Sequence, residues 1–320
     1  MTDQSMREGY GRALADYGAV NPNVIVLDVD TSTSTLTHFF AERYPDRFYN
    51  IGIAEPCMVD VAVGMALNGK VVFANGFAAL VALRALEQIR TCVAYARTNV
   101  KLAASYAGLS DFKDGPTHHS LTDIATMRAL PEMTVIVPAD AHEAGAWVPV
   151  IAEYDGPVYL RISRAATIAV HDEHVKVEIG KGLTLHTGHD LTLICAGSMV
   201  GRSLQAAAIL AEQGIEARVL EMHTIKPIDA GLIVQAAAET GAIVTAEEHS
   251  IIGGLGGAVA EVLSTSCPVP LELVGVADTF ARTALAPEPL MDAFGLAVGD
   301  IVAAAARVIE KKRQRMTLIS

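Results

Sequence analysis

Short, continuous apolar runs recur along this 320-residue chain and alternate with stretches of helical periodicity. In the first half the runs are VIVLD (24–28), VVFA (71–74), KLAAS (101–105), TVIVP (134–138) and VYLRI (158–162). Helical stretches fall at 5–20, 55–68, 78–97, 122–129 and 141–153. A run that is apolar on both sides of the pleat belongs to a strand covered on both faces, and parallel strands need a crossover between them. Repeated β-α-β therefore predicts a parallel α/β sheet. Composition agrees, since 51% hydrophobic residues with only 5% aromatics favour aliphatic strands under closely packed helices over a β-sandwich.

The pattern breaks at 163–182, SRAATIAVHDEHVKVEIGKG, which has mixed charge and no long helical period. It restarts with strand LTLICAG (191–197), helix 199–213, strand ARVLEM (217–222), helix 229–240, strand AIVTAEE (242–248), helix 255–264 and strand LELVGVA (271–277). The expected fold class is α/β in two domains, 1–165 and 183–320, joined by a linker at 166–182. Each domain is expected to be a mostly parallel sheet flanked by helices. The length suits two domains at roughly 100–200 residues each.

A net charge of −12 argues against nucleic acid, because neutralising phosphates takes a clustered cationic face. Lys311, Lys312 and Arg313 make only a short basic tail. Cys57, Cys92, Cys195 and Cys267 lie far apart without C-x-x-C spacing, which predicts neither a zinc site nor a disulfide framework and fits a reducing cytosol. The N-terminal stretch lacks a basic segment followed by an apolar core, and no apolar run reaches the roughly 18–20 residues of a membrane span. A soluble, cytoplasmic protein with no nucleic-acid or membrane partner is expected.

Several segments could carry chemistry. YNIGIAEP places Glu55 between a short strand and a helix, although acids are common in a first helical turn for dipole and capping reasons. KDGPTHHS places His118 and His119 in an irregular loop at 106–121; His titrates near neutrality, yet adjacent loop histidines are often simply solvated. Arg7, Ser34 with Asp30, and Arg161 with Arg164 are weak cues for an anion. Gly253–Gly257 opens a helix and could cradle an anion through backbone N–H groups. It lacks G-x-G-x-x-G after a strand and the Walker lysine, so a helix-entry turn is the better reading. Glu247, Glu248 and His249 read as a strand end with a surface charge cluster.

Taken in order and spacing, YNIGIAEP, DGPTHH followed by DIATMRALPEMTVIVPAD, EMHTIKPID and AEEHSIIGGLGGAV resemble the transketolase family over nearly the whole chain. That family includes 1-deoxyxylulose-phosphate synthase and the two-chain transketolases of prokaryotes. The resemblance implies thiamine diphosphate as cofactor and transfer of a two-carbon ketol unit from a ketose phosphate to an aldose. Glu55 then matches the glutamate at N1′ of the aminopyrimidine, a carboxyl group that controls the proton there. His118 matches the histidine near the donor carbonyl, and Asp114 the aspartate on a substrate hydroxyl. Arg7, 23 residues before Asp30, Ser34, four after it, and Arg164 match positions that bind the substrate phosphate.

Departures from the family pattern lie beside the substrate. Tyr106 stands where a histidine is usual, Asp111, Phe112 and Lys113 replace a small glycine-containing turn, and His119 replaces a glutamine. Ala78 and Val81 occupy positions where aromatics normally stack on the aminopyrimidine, leaving Phe77 as the nearest candidate. These changes point to a modified sugar phosphate or an unusual ketose. The family's GDG phrase for Mg²⁺ and diphosphate is absent from the sequence. The resemblance thus implies an N-terminal partner subunit that holds the metal and diphosphate, with two chains of each kind in the assembly.

Two other readings share these features. The beta subunit of a 2-oxoacid dehydrogenase has the same domain pair, but its phrases around the glutamate and histidine differ, and phosphate-tail arginines would have no role there. A noncatalytic assembly subunit is opposed by the presence of Glu55, Asp114 and His118.

Overall fold

The computed structural model describes residues 3–319. In the first part of the chain the strands are β1 (Asp3–Ser5), β2 (Val24–Asp28), β3 (Phe48–Asn50), β4 (Val71–Phe77), β5 (Val100–Ser105), β6 (Thr134–Ile136) and β7 (Val158–Arg161). They are followed by β8 (Ala166–Ile168), β9 (Leu183–His186), β10 (Leu191–Cys195), β11 (Ala217–Glu221), β12 (Thr224–Lys226), β13 (Ile243–Ser250) and β14 (Leu271–Val276). A seven-stranded sheet runs β12-β6-β7-β5-β4-β2-β3, parallel except for β12. A five-stranded sheet runs β14-β13-β10-β11-β9, parallel except for β9. The small ribbon of β1 with β8 ties the start of the chain to the beginning of the expected linker.

The apolar runs are buried on both faces. Val24 and Val26 join Phe73, Ala103, Leu160 and Trp147 on one side of the large sheet. Ile25 and Leu27 join Val72, Ala74, Leu102 and Ala104 on the other. Full burial of one such aliphatic side chain contributes about 1.5–3 kcal/mol, which is why these alternating positions set the register. The second cluster continues into Ile194, Leu220, Leu255 and Val259, so the two sheet units meet through apolar side chains.

The stretch 78–97 is not one helix. It divides into Ala78–Arg84, Leu86–Gln88 and a π turn at Ile89–Tyr95. Its buried residues Val81, Ala85, Ile89 and Val93 recur every fourth position. An α-helix at 3.6 residues per turn drifts off that spacing, and a wider π turn restores it. Beyond the last expected strand the chain adds helices Pro287–Ala293 and Val298–Ile319; the longer one buries Ile301, Ala304, Ala305 and Val308. Among the described residues no helix is long and apolar enough to cross a membrane.

Candidate active site

In the order β7-β5-β4-β2-β3, five neighbouring strands run parallel, so their C-terminal ends share one edge of the sheet. Such an edge is where open α/β sheets place ligands. Arg164 follows β7, Tyr106 follows β5, Phe77 ends β4, Asp30 and Ser34 follow β2, and Glu55 follows β3.

The segment after β2 is held by Asp28. Its buried carboxylate accepts from the Thr31 N–H at 2.5 Å and from the hydroxyls of Thr35 and Thr37 at 2.9 and 3.0 Å. Burial raises the Asp28 pKa and these bonds oppose it. Asp30 lies exposed at φ 68°, donating its N–H to Asn50 Oδ1 at 2.9 Å and accepting from Asn50 Nδ2 at 3.0 Å.

Glu55 is the first residue of helix Glu55–Ala66 and is buried. Its partner is Arg84 Nη1, 3.3 and 3.4 Å from the two carboxylate oxygens, and Arg84 is itself half-exposed. Near these two in sequence, Ile53 and Leu83 stand exposed to solvent.

Phe77 stacks on Tyr106 with ring centroids 4.1 Å apart and presents an edge-on contact to His118 at 6.1 Å. Tyr106 sits at φ 63°, a left-handed conformation that costs an L-residue about 1–2 kcal/mol and persists where the surroundings impose it. The guanidiniums of Arg7 and Arg164 lie 5.2 and 4.9 Å from the Tyr106 ring centroid. Arg7 Nη1 also donates to the Ser34 carbonyl at 2.6 Å and to the Tyr106 hydroxyl at 3.4 Å. Burial, and after it the neighbouring Arg164, lowers the Arg7 pKa, while Tyr106 opposes the shift. Arg164 Nη1 donates to Asp111 Oδ1 at 2.6 Å.

The loop after Tyr106 is clamped by the second sheet unit. Glu248 Oε1 accepts from the Leu109 N–H at 2.7 Å, and the Phe112 carbonyl accepts from the Ala284 N–H at 2.8 Å. Gly115 sits at φ +82°, where any side chain would strain the backbone, with Thr283 Oγ1 facing its Cα. His118 is half-exposed with Nδ1 3.0 Å from Thr117 Oγ1, and Asp114 is exposed. His119 turns inward, its Nε2 3.1 Å from the Asp111 carbonyl, and burial lowers its pKa. A cavity of 280 Å³ lies beside the loop, lined by Ala79, Leu83, Pro116, Thr117, His119 and Phe280.

The structure thus brings together Arg7, Ser34, Phe77, Tyr106, His118 and Arg164. Asp30 bonds to Asn50 instead of to this group. Val81 is fully buried in the apolar core, where its methyl leaves no space for a Cβ at Gly76, so it presents no surface to a ligand. Arg161 is also structural: buried, it pairs with Asp123 at 2.8 Å and donates to the carbonyls of Ser120 and Glu248.

Glu247, Glu248 and His249 are buried, not a surface cluster, because β13 runs on to Ser250 between the two units. Glu247 caps the glycine-rich helix start through Leu255 and Gly256, so the anion there belongs to the chain itself. Arg84 and Asp111 emerge only in three dimensions. Arg84 ends its short helix three residues after a buried valine and reads as solvated, and the burial of Asp111 depends on contacts with distant segments.

Comparison with known proteins shows the family to which these domains belong. The family model for the transketolase pyrimidine binding domain matches residues 2–168, and that for the transketolase C-terminal domain matches residues 180–301. The chain is 40% identical over 310 residues to the 6-deoxy-6-sulfo-D-fructose transketolase subunit of a Clostridium species, covering 97% of this chain and 96% of that protein. It is 40% identical over 273 residues to one subunit of the apulose-4-phosphate transketolase of Phocaeicola vulgatus, covering 85% and 87%. A solved split-gene transketolase, an inactive β4 tetramer, superposes with a TM-score of 0.91 at 45% identity, covering 97% of this chain and 99% of that one. The chain belongs to the transketolase family, as the subunit of a thiamine-diphosphate-dependent transferase that contains the pyrimidine-binding and C-terminal domains and works with a partner chain.

Proposed function

We propose that this chain and a partner bearing the diphosphate and Mg²⁺ site transfer a two-carbon ketol unit from a ketose with an anionic tail to an aldose. The assembly is two chains with two partners, in the cytoplasm. The chain divides into a pyrimidine-binding domain at 1–165, a linker at 166–182 and a C-terminal domain at 183–320. The observation that carries the reading is that one sheet edge carries both a buried carboxylate, Glu55 after β3, and a cluster of an aromatic face, a histidine and two arginines.

These residues fit the aminopyrimidine end of thiamine diphosphate. Glu55 is a buried carboxylate whose half-exposed partner stands at the long end of hydrogen-bond distance and can be displaced. Phe77 offers a half-buried ring. When bound, the cofactor supplies a carbon nucleophile and an electron sink for the cleaved fragment. Glu55 holds the proton at N1′, and burial keeps water from competing for it. His118 orients the donor carbonyl and Asp114 a substrate hydroxyl, with Asp30 at the rim and Tyr106 as the wall. Arg7, Ser34 and Arg164 hold the tail. Relatives named for a sulfo-sugar and for apulose phosphate favour a donor outside the common pentose and hexose phosphates.

The test is a ketol-transfer assay with thiamine diphosphate and Mg²⁺, on the chain alone and after co-expression with a partner carrying the GDG phrase. Turnover is expected only from the pair. Micromolar cofactor binding and turnover by the single chain would overturn the reading.

A further inference from the structure

The tail subsite contains a counter-ion of its own. Asp111 is fully buried, and its Oδ1 lies 2.6 Å from Arg164 Nη1. Its other oxygen, Oδ2, is buried without a hydrogen-bond partner. Burial first, then the Asp114 carboxylate beside it, pushes the Asp111 pKa up to about 6, against the pull of Arg164. Arg164 is held further by the rings of Tyr106 and Phe112, 4.9 and 5.3 Å from its guanidinium. Arg7 shares the Tyr106 ring and repels Arg164. At neutral pH the enclosed part of the subsite therefore holds two guanidiniums and one paired carboxylate, a net charge of +1, while the Asp114 carboxylate is exposed and screened by solvent.

A tail with one negative charge balances that subsite. A dianionic phosphate overfills it, placing its second charge near a buried carboxylate in a medium where like charges repel strongly. We propose that Asp111 is the specificity-determining residue of this transketolase site, tuning it for a sugar tail of single negative charge, a sulfonate or carboxylate, over a dianionic phosphate. The inference rests on Arg7 and Arg164 being the tail subsite, and the experiment separates the two claims.

The holoenzyme, chain plus partner, is assayed at pH 8 with the 6-phosphate, 6-sulfonate and 6-carboxylate forms of one ketose and with the sugar lacking a charged tail. Wild type is expected to favour the monoanionic tails by about tenfold in kcat/KM, the effect of one unbalanced charge in a partly desolvated site. The two monoanionic arms show which group is preferred. Asp111→Asn should move the phosphate-to-sulfonate ratio toward phosphate by about tenfold or more. A wild-type preference for phosphate, or an unmoved ratio in Asp111→Asn, overturns the inference. If the variant does not assemble, the wild-type ratio alone decides. Arg7→Ala tests the foundation: loss of the preference for charged over uncharged sugars supports the subsite, and an unchanged preference shows that the subsite itself is misplaced.

Discussion

Glu247 Oε1 accepts a hydrogen bond from the backbone N–H of Gly256 at 2.8 Å, while its Oε2 accepts from Leu255 at 2.7 Å. A helix start leaves N–H groups unpaired and carries partial positive charge, and here a buried carboxylate answers both. A Cβ at Gly254 would lie 2.0 Å from that carboxylate, which explains the glycine. Glu247→Ala is expected to lower the unfolding free energy by about 2–3 kcal/mol, since two buried donors lose their acceptor. Glu247→Gln keeps one acceptor and should cost less. Chemical denaturation that places Glu247→Ala within about 0.5 kcal/mol of wild type would refute the cap.

Glu55→Ala should abolish ketol transfer in the assembled enzyme without loss of assembly, because it removes a proton carrier and not a core contact. Exchange of the cofactor C2 proton, followed by NMR in the holoenzyme, locates the defect. Exchange at the wild-type rate in this variant would rule Glu55 out of proton control.

Arg7→Ala should raise KM for sugars with an anionic tail far more than for uncharged ones. Loss of one charge-assisted contact in a half-buried site corresponds to about 1–3 kcal/mol, or roughly 5- to 150-fold. Steady-state kinetics on matched sugars checks this, and equal effects on both classes would exclude a tail contact.

Lys101 offers a test by pH. It is buried on β5, with Nζ donating to the carbonyls of Tyr154 and Gly156 at 2.7 and 2.6 Å, and burial lowers its pKa to about 7. Between that value and the ordinary 10.5 the unfolded chain holds a proton that the folded chain has released. Stability must therefore rise with pH across this window, by at most about 1.4 kcal/mol per pH unit. Urea unfolding at pH 7.5 and 9.5 should show that gain in wild type and not in Lys101→Met, whereas an identical response to pH would show that Lys101 is protonated throughout.

Much of the scaffold was legible because doubly buried strands are continuous apolar runs. VIVLD coincides with β2 at both ends, and the observed strands at 71–77, 158–161 and 191–195 begin where the runs begin. What escaped depended on distant partners. TIK has no period of its own and becomes β12 only because β6 presents an open edge, and LTLH becomes β9 by pairing with β11. In the site, Arg7, Tyr106 and Arg164 were singled out by motif position, and only the fold brings them together: Tyr106 and Arg164 follow neighbouring strands, and Arg7 arrives on the helix after β1. Glu248 misled for the opposite reason: a carboxylate at a strand end reads as solvated, yet Leu109 and Ser198 from two different units enclose it.

Strand β12 has one more consequence. It comes from the second half of the chain but lies antiparallel to β6 at the margin of the first sheet, with Thr224 opposite Ile136 and the His223 carbonyl accepting from Val137 at 2.8 Å. Residues 1–168 expressed alone would bare the β6 margin, a row of open backbone donors and acceptors that recruits other chains. The pyrimidine-binding unit is consequently not a transplantable module. Any chimaera built from it must also import residues 223–226, or supply another strand to close that margin.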